Sequence, residues 1–111
     1  MKVSAWAASA PGAALEPFDY ELGEVGDQDV VVEVSRCGIC HSDLHMVDND
    51  WRMSTYPLVP GHEVVGRVVD RGRGVAHLFP GDKVGVGWQA AACMTCRDCL
   101  RGEENLCDDH R

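Results

Sequence analysis

Four cysteines, Cys93, Cys96, Cys99 and Cys107, lie in a Cys-x2-Cys-x2-Cys-x7-Cys pattern within fifteen residues. Four thiolates at this spacing suit a tetrahedral divalent metal, and a zinc ion held by all four has no position left for substrate. The pattern predicts a structural knuckle without chemistry of its own. The rival is an iron–sulfur cluster. The bacterial ferredoxin run places its fourth cysteine after three residues and follows it with proline. Here the gap is seven residues and Asp108 follows, so the spacing favours zinc. Arg97 and Arg101 lie inside the knuckle. They either offset the surplus negative charge of the thiolates or are ordinary solvated side chains.

A second, less complete set of ligands comes from Cys40, His62 and Glu63. A catalytic zinc keeps one position open for water or substrate, and a thiolate and a neutral imidazole suit such a site. Gly61 lets the backbone approach closely before His62. Asp43 is placed to accept from the other ring nitrogen of His62 and fix its tautomer. Ser42 and His45 are candidates to pass a proton to solvent. Cys37 makes a Cys-x2-Cys with Cys40, but no βαβ pattern of the thioredoxin type surrounds it. A buried free thiol is expected there. Trp51 and Trp88 either narrow a pocket for flat or linear apolar molecules or simply pack in the core. The run Gly85-Val86-Gly87-Trp88-Gln89-Ala90 fits the loose form G-x-G-x-x-A. It leads into the knuckle rather than into a helix, so it is not a dinucleotide fingerprint.

The chain has 111 residues, 45% of them hydrophobic and 25% charged, with six cysteines and a net charge of −8. That length suits one domain with a modest core. An acidic chain has little with which to neutralise phosphates, so nucleic acid is not an expected partner. No apolar run reaches the roughly 20 residues a membrane helix needs. Close Cys-x2-Cys repeats belong to metal knuckles in reducing compartments rather than to secreted disulfide scaffolds. The segment from Val3 to Ala10 is too short and too poor in Leu and Ile for a signal peptide, and reads as a first strand. A cytoplasmic location is expected.

The elements that must position these residues are mostly strands. Met1 to Ala8, Phe18 to Leu22, Asp29 to Arg36, His62 to Asp70 and Lys83 to Trp88 read as strands broken by Gly and Pro turns, with β-branched runs in the third and fourth. In the third, Glu33 and Ser35 are expected to alternate outward. Ser42 to Asp48 is expected to make one short helical turn, and Trp51 to Pro60 to be irregular. Residues 89–111 lack a strand pattern and form the cysteine lobe. Such a series of strands predicts a mainly β, partly open barrel.

Gly61-His62-Glu63-x2-Gly66-x5-Gly72-x2-Val75 resembles the zinc signature of the zinc-dependent medium-chain alcohol dehydrogenases. Cys-Gly-Ile-Cys-His-Ser-Asp-Leu-His resembles that family's catalytic loop, and the cysteine lobe has its spacing. The stretch from Asp48 to Glu63 looks closest to the cinnamyl-alcohol-dehydrogenase-like branch. The resemblance implies that residues 1–111 are an incomplete GroES-like catalytic domain, with a structural zinc lobe over 89–111 and the Rossmann domain absent. It implies a catalytic zinc on Cys40 and His62 with Glu63 as a nearby or alternative ligand, and a structural zinc on Cys93, Cys96, Cys99 and Cys107. It further implies a proton relay through Ser42 and His45, and His41 near the phosphates of NADP or NAD. The implied activity is hydride transfer between a primary alcohol or aldehyde and that nicotinamide cofactor, with zinc as Lewis acid. In this family a second cysteine ligand lies beyond residue 111, so the chain alone is expected to be inactive. The full-length protein is expected to be a homo-oligomer. The alternatives are a free-standing zinc-binding module and an iron–sulfur electron carrier.

Overall fold

The computed structural model describes residues 1–109. In chain order the elements are β1 (Lys2–Ala7), β2 (Glu16–Glu21), β3 (Val30–Cys37), α1 (His41–Asp48), β4 (Val64–Arg71), β5 (Lys83–Val86), α2 (Arg97–Leu100) and a 3-10 turn over Glu104–Leu106. The five strands fall within a few residues of the segments expected to be extended. β1 and β2 form an antiparallel hairpin, and β3, β4 and β5 form an antiparallel meander. A two-residue bridge between Ala8 and Leu58 ties the hairpin to the loop ahead of β4.

The strands remain two open sheets rather than closing into a barrel. Among the described residues, only Ala7, Ala8, Val68, Val75, Cys99 and Cys107 are buried hydrophobic residues. The accessible surface is 8180 Å², against about 6,000 Å² for a compact monomer of this mass. A groove of about 680 Å³ runs between the sheets, lined by Val3, Tyr20, Leu22, Val32, Leu78 and Val84 among others. The expected alternation in β3 is partial: Glu33 and Ser35 are exposed, but so is Val34, 56% of it. Register shifts between Val31 and Val32 and between Val34 and Arg36 break the period of two.

α1 is longer than the single turn expected, with eight residues. Asp43 in its first turn accepts from the Cys40 N–H at 3.1 Å, the reciprocal half of a capping box. It ends at Asn49, whose left-handed backbone (φ 59°) brings its N–H back to the carbonyls of His45 and Met46. The irregular loop that follows is fastened to that end. The Ser54 N–H donates to Asn49 Oδ1 at 3.1 Å, and the Tyr56 hydroxyl donates to the Val47 carbonyl at 2.7 Å.

The turn after β4 is packed backbone on backbone. The Gly72 N–H donates to the Asp29 carbonyl at 2.8 Å and the Gly74 N–H to the Asp27 carbonyl at 2.7 Å. A methyl group on Gly72 would collide with the carbonyls of Gly26 and Asp27. Gly72→Ala is therefore expected to cost about 1–3 kcal/mol, read as a lower urea midpoint. An unchanged midpoint would show that this turn yields freely.

Candidate metal centres

The sulfur atoms of Cys93, Cys96, Cys99 and Cys107 all lie within 4.8 Å of one another. Cys93 Sγ and Cys99 Sγ are 3.9 Å apart. Four thiolates around one zinc at about 2.3 Å would sit about 3.8 Å from each other, whereas a disulfide needs about 2.05 Å. The donor set fits a tetrahedral zinc. Backbone N–H groups already point at the sulfurs. Cys96 donates to Cys93 Sγ at 3.2 Å, Thr95 to Cys93 Sγ at 3.4 Å, Cys99 to Cys96 Sγ at 3.4 Å and Cys93 to Cys107 Sγ at 3.4 Å. Met94 makes this turn possible with a left-handed backbone, φ 61°. Gln89 Nε2 donates to the Glu104 carbonyl at 2.9 Å, closing the base of the lobe. Arg101 faces Glu103 at 3.6 Å, and Arg97 is exposed. His110 and Arg111, included in the expected lobe, lie outside the described residues.

The second cluster brings together Cys40, His62 and Glu63, again with ligand atoms within 4.8 Å of one another. Pairing of β3 with β4 does this. The ladder runs to Cys37 opposite Val64, and the Gly38 N–H then donates to the Glu63 carbonyl at 2.9 Å. The Glu63 carboxylate lies over Gly38, where any side chain would strike it. A Cβ on Gly61 would come within 2.7 Å of Cys37 Sγ, so the close approach expected there is real. Asp43 does two things at once. Its Oδ2 accepts from the Cys40 N–H at 3.1 Å, and its Oδ1 pairs with His62 Nδ1 at 3.1 Å. With the proton on Nδ1, Nε2 keeps its lone pair for a metal.

One expectation fails. Cys37 is exposed rather than buried. It ends β3, whose last five residues, Glu33 to Cys37, are all exposed, so neither face is covered there. One residue of consequence went unnoticed in the sequence: Asp50, whose Oδ2 lies 2.7 Å from His45 Nδ1. Its only signal is a carboxylate just beyond the end of α1. Trp51 and Trp88 are 44% and 48% exposed, so neither is a core residue. They join a continuous series of ring contacts. His41 meets His45 at 4.8 Å, His45 meets Trp51 at 5.1 Å, Trp51 meets Trp88 at 6.2 Å, and Trp88 meets His62 at 4.8 Å.

Residues 26–111 match the family described as the alcohol dehydrogenase GroES-like domain. The chain belongs to that family. The aldehyde reductase AdhA of Synechocystis sp. is 52% identical over 105 residues, which is 95% of this chain and 31% of the relative. A probable mannitol dehydrogenase of Fragaria ananassa is 50% identical over 96% of this chain and 30% of its own length. Among solved structures, a cinnamyl alcohol dehydrogenase from Sorghum bicolor superposes with a TM-score of 0.93 at 45% identity, over 99% of this chain and 31% of that one. A Helicobacter pylori CAD complexed with NADP(H) superposes with a TM-score of 0.92 at 34% identity, over 99% and 32%. The chain thus spans about a third of the length of the relatives it matches. The mainly β GroES-like fold expected from the sequence is the fold of this family. Among the described residues, no helix is long and apolar enough to cross a membrane.

The knuckle thiols differ sharply before any metal binds. The N–H groups of Thr95 above all, and of Cys96, hold the Cys93 thiol down at about 6. Burial, with help from the Cys96 side chain, pushes Cys99 up to about 12. Both start from an ordinary value of 9.0. The metal-free lobe therefore gains stability through Cys93 as pH rises from about 6 to 9, and loses it through Cys99 from about 9 to 12. Thiolates are the reactive form. Iodoacetamide at neutral pH is expected to label Cys93 well before Cys99 in the metal-free chain, as mapped by peptide mass spectrometry. Equal rates would contradict this order.

Proposed function

We propose that this chain is the N-terminal zinc-binding part of an NAD(P)-dependent alcohol or aldehyde oxidoreductase. The observation that carries the reading is the gathering of Cys40, His62 and Glu63, with His62 oriented by Asp43, beside a separate four-thiol knuckle. One donor set is complete and the other is not, as expected of a structural and a catalytic metal. The zinc-binding lobe of residues 89–111 then serves to hold the domain together. A zinc ion bound by Cys40 and His62 would supply Lewis acidity toward an alcohol or aldehyde oxygen.

The chain's own residues supply position, apolar surface and a proton route. Asp43 keeps the His62 ring in one tautomer, with Nε2 free to ligate. Met46, Met53, Leu58, Pro60 and Trp88 line an open cavity of about 260 Å³ that reaches His62 and offer apolar surface to a substrate. Ser42 and His45 are one helical turn apart on α1 and share a face. With its Nδ1 held by Asp50, His45 offers Nε2 to accept a proton from Ser42 and release it to solvent. His41, exposed at the start of α1, would contact the cofactor phosphates. The NADP(H) of the Helicobacter pylori neighbour favours NADP over NAD. The substrate would be a small alcohol or aldehyde, and the whole protein a cytoplasmic homo-oligomer. The second reading, a zinc-binding module without catalysis, draws on the knuckle alone, whose four sulfurs leave no open position.

Metal analysis of the purified chain is expected to give one tightly held zinc and a second that mild chelation removes, because two or three ligands hold zinc poorly. Iron in place of zinc would sink the assignment. The chain alone is expected to show no aldehyde-dependent NADPH oxidation. Joined to the remaining two thirds of the Synechocystis relative, it is expected to reduce aldehydes. In that chimera Asp43→Asn should lower kcat/KM by about 10- to 100-fold, and Cys40→Ser by more. A folded, zinc-loaded chimera without activity would favour the module reading.

A further inference from the structure

We infer that Trp88 is a positioning residue for the open metal centre, its ring packed against the His62 imidazole to hold that ring in its ligating orientation; this rests on the proposed function above. The hydrogen bond from His62 Nδ1 to Asp43 fixes a single atom of the imidazole. The second side-chain torsion of histidine has a broad, shallow preference. One bond at Nδ1 therefore leaves the ring free to swing about it, carrying Nε2 away from Cys40. The Trp88 ring supplies the missing restraint. Its centroid lies 4.8 Å from that of His62 with the planes at 75°, the edge-to-face arrangement that aromatic pairs prefer.

Trp88 is itself held in place. On its far side it meets Trp51 edge-on at 6.2 Å. Trp51 packs on His45, and Asp50 anchors His45. The restraint on His62 is thus backed by rings rooted in α1 and the loop after it. A purely structural role explains Trp88 poorly. It is 48% exposed and lies beyond the end of β5, outside the buried set. Its ring contacts are with one candidate ligand and with the ring that joins it to the proposed proton route.

The test is a cobalt(II) titration of the chain after zinc has filled the knuckle. Absorption from the Cys40 thiolate to cobalt reports the open centre, and zinc affinity at the knuckle, measured with a chromophoric chelator, reports the fold. Trp88→Phe keeps an aromatic edge and Trp88→Leu keeps only bulk. Trp88→Leu is expected to bind cobalt at the open centre on the order of tenfold more weakly, with a shifted ligand-field spectrum. Trp88→Phe is expected to stay close to the unsubstituted chain, and both variants are expected to leave the knuckle unchanged. Equal cobalt affinity in all three chains would overturn the inference. So would equal weakening in both variants, or a parallel loss at the knuckle, which would mark a general fold defect. No cobalt signal from the open centre of the unsubstituted chain would overturn the proposed function, and this inference with it.

Discussion

The antiparallel register between β3 and β4 is the constraint on which the rest of the molecule depends. It sets Cys37 opposite Val64 and carries the pairing one step further, to Gly38 and Glu63. That step brings the loop leading into α1 against the two residues ahead of β4. Cys40 then faces His62 and Glu63 although more than twenty residues separate them in sequence. Side chains alternate along a strand, so a slip of one residue would turn His62 away and put Glu63 where His62 belongs. The glycines at 38, 61 and 66 protect this register, since a side chain at each would strike Glu63, Cys37 or the β3 backbone.

Asp43 converts that proximity into a defined site. Its carboxylate is shared between the start of a helix and a strand-end imidazole, so the same two oxygens order Cys40 and His62 together. The side chains of Asp43 and His62 are 17% and 19% exposed, shielded enough for the pair to persist. The knuckle is organised differently. Its order comes from backbone N–H groups directed at sulfur between residues 93 and 107. One centre is local and the other is tertiary.

The small buried set follows from this division. Two of the six buried hydrophobic residues among those described are knuckle cysteines. The sheets leave an apolar groove open between them, and exposed Val34, Leu44 and Trp6 show how much apolar surface the described residues leave uncovered. Order in the cysteine lobe is therefore tied to its thiols more than to apolar packing.

Much of this was legible in the sequence, because the decisive signals are local. Cysteine spacing marks the knuckle, valine runs mark β3 and β4, and Gly61-His62-Glu63 with Cys40 marks the second cluster. The family resemblance followed from the same motifs. Where local signals end, the reading fell short. Cys37 looked like a buried thiol, but whether a strand end is covered depends on what packs over it. Strand runs gave the mainly β, open class, but which strands pair was left to contacts that no single run encodes. Asp50 and the Trp88–His62 contact were invisible because a ring contact or an ion pair depends on where a loop is fastened. Residue type and near-neighbour spacing thus settle which side chains can ligate and which segments extend. Which ligands meet, which nitrogen of His62 is held and which rings hold it follow from register and loop closure, which bring together residues that no local pattern connects.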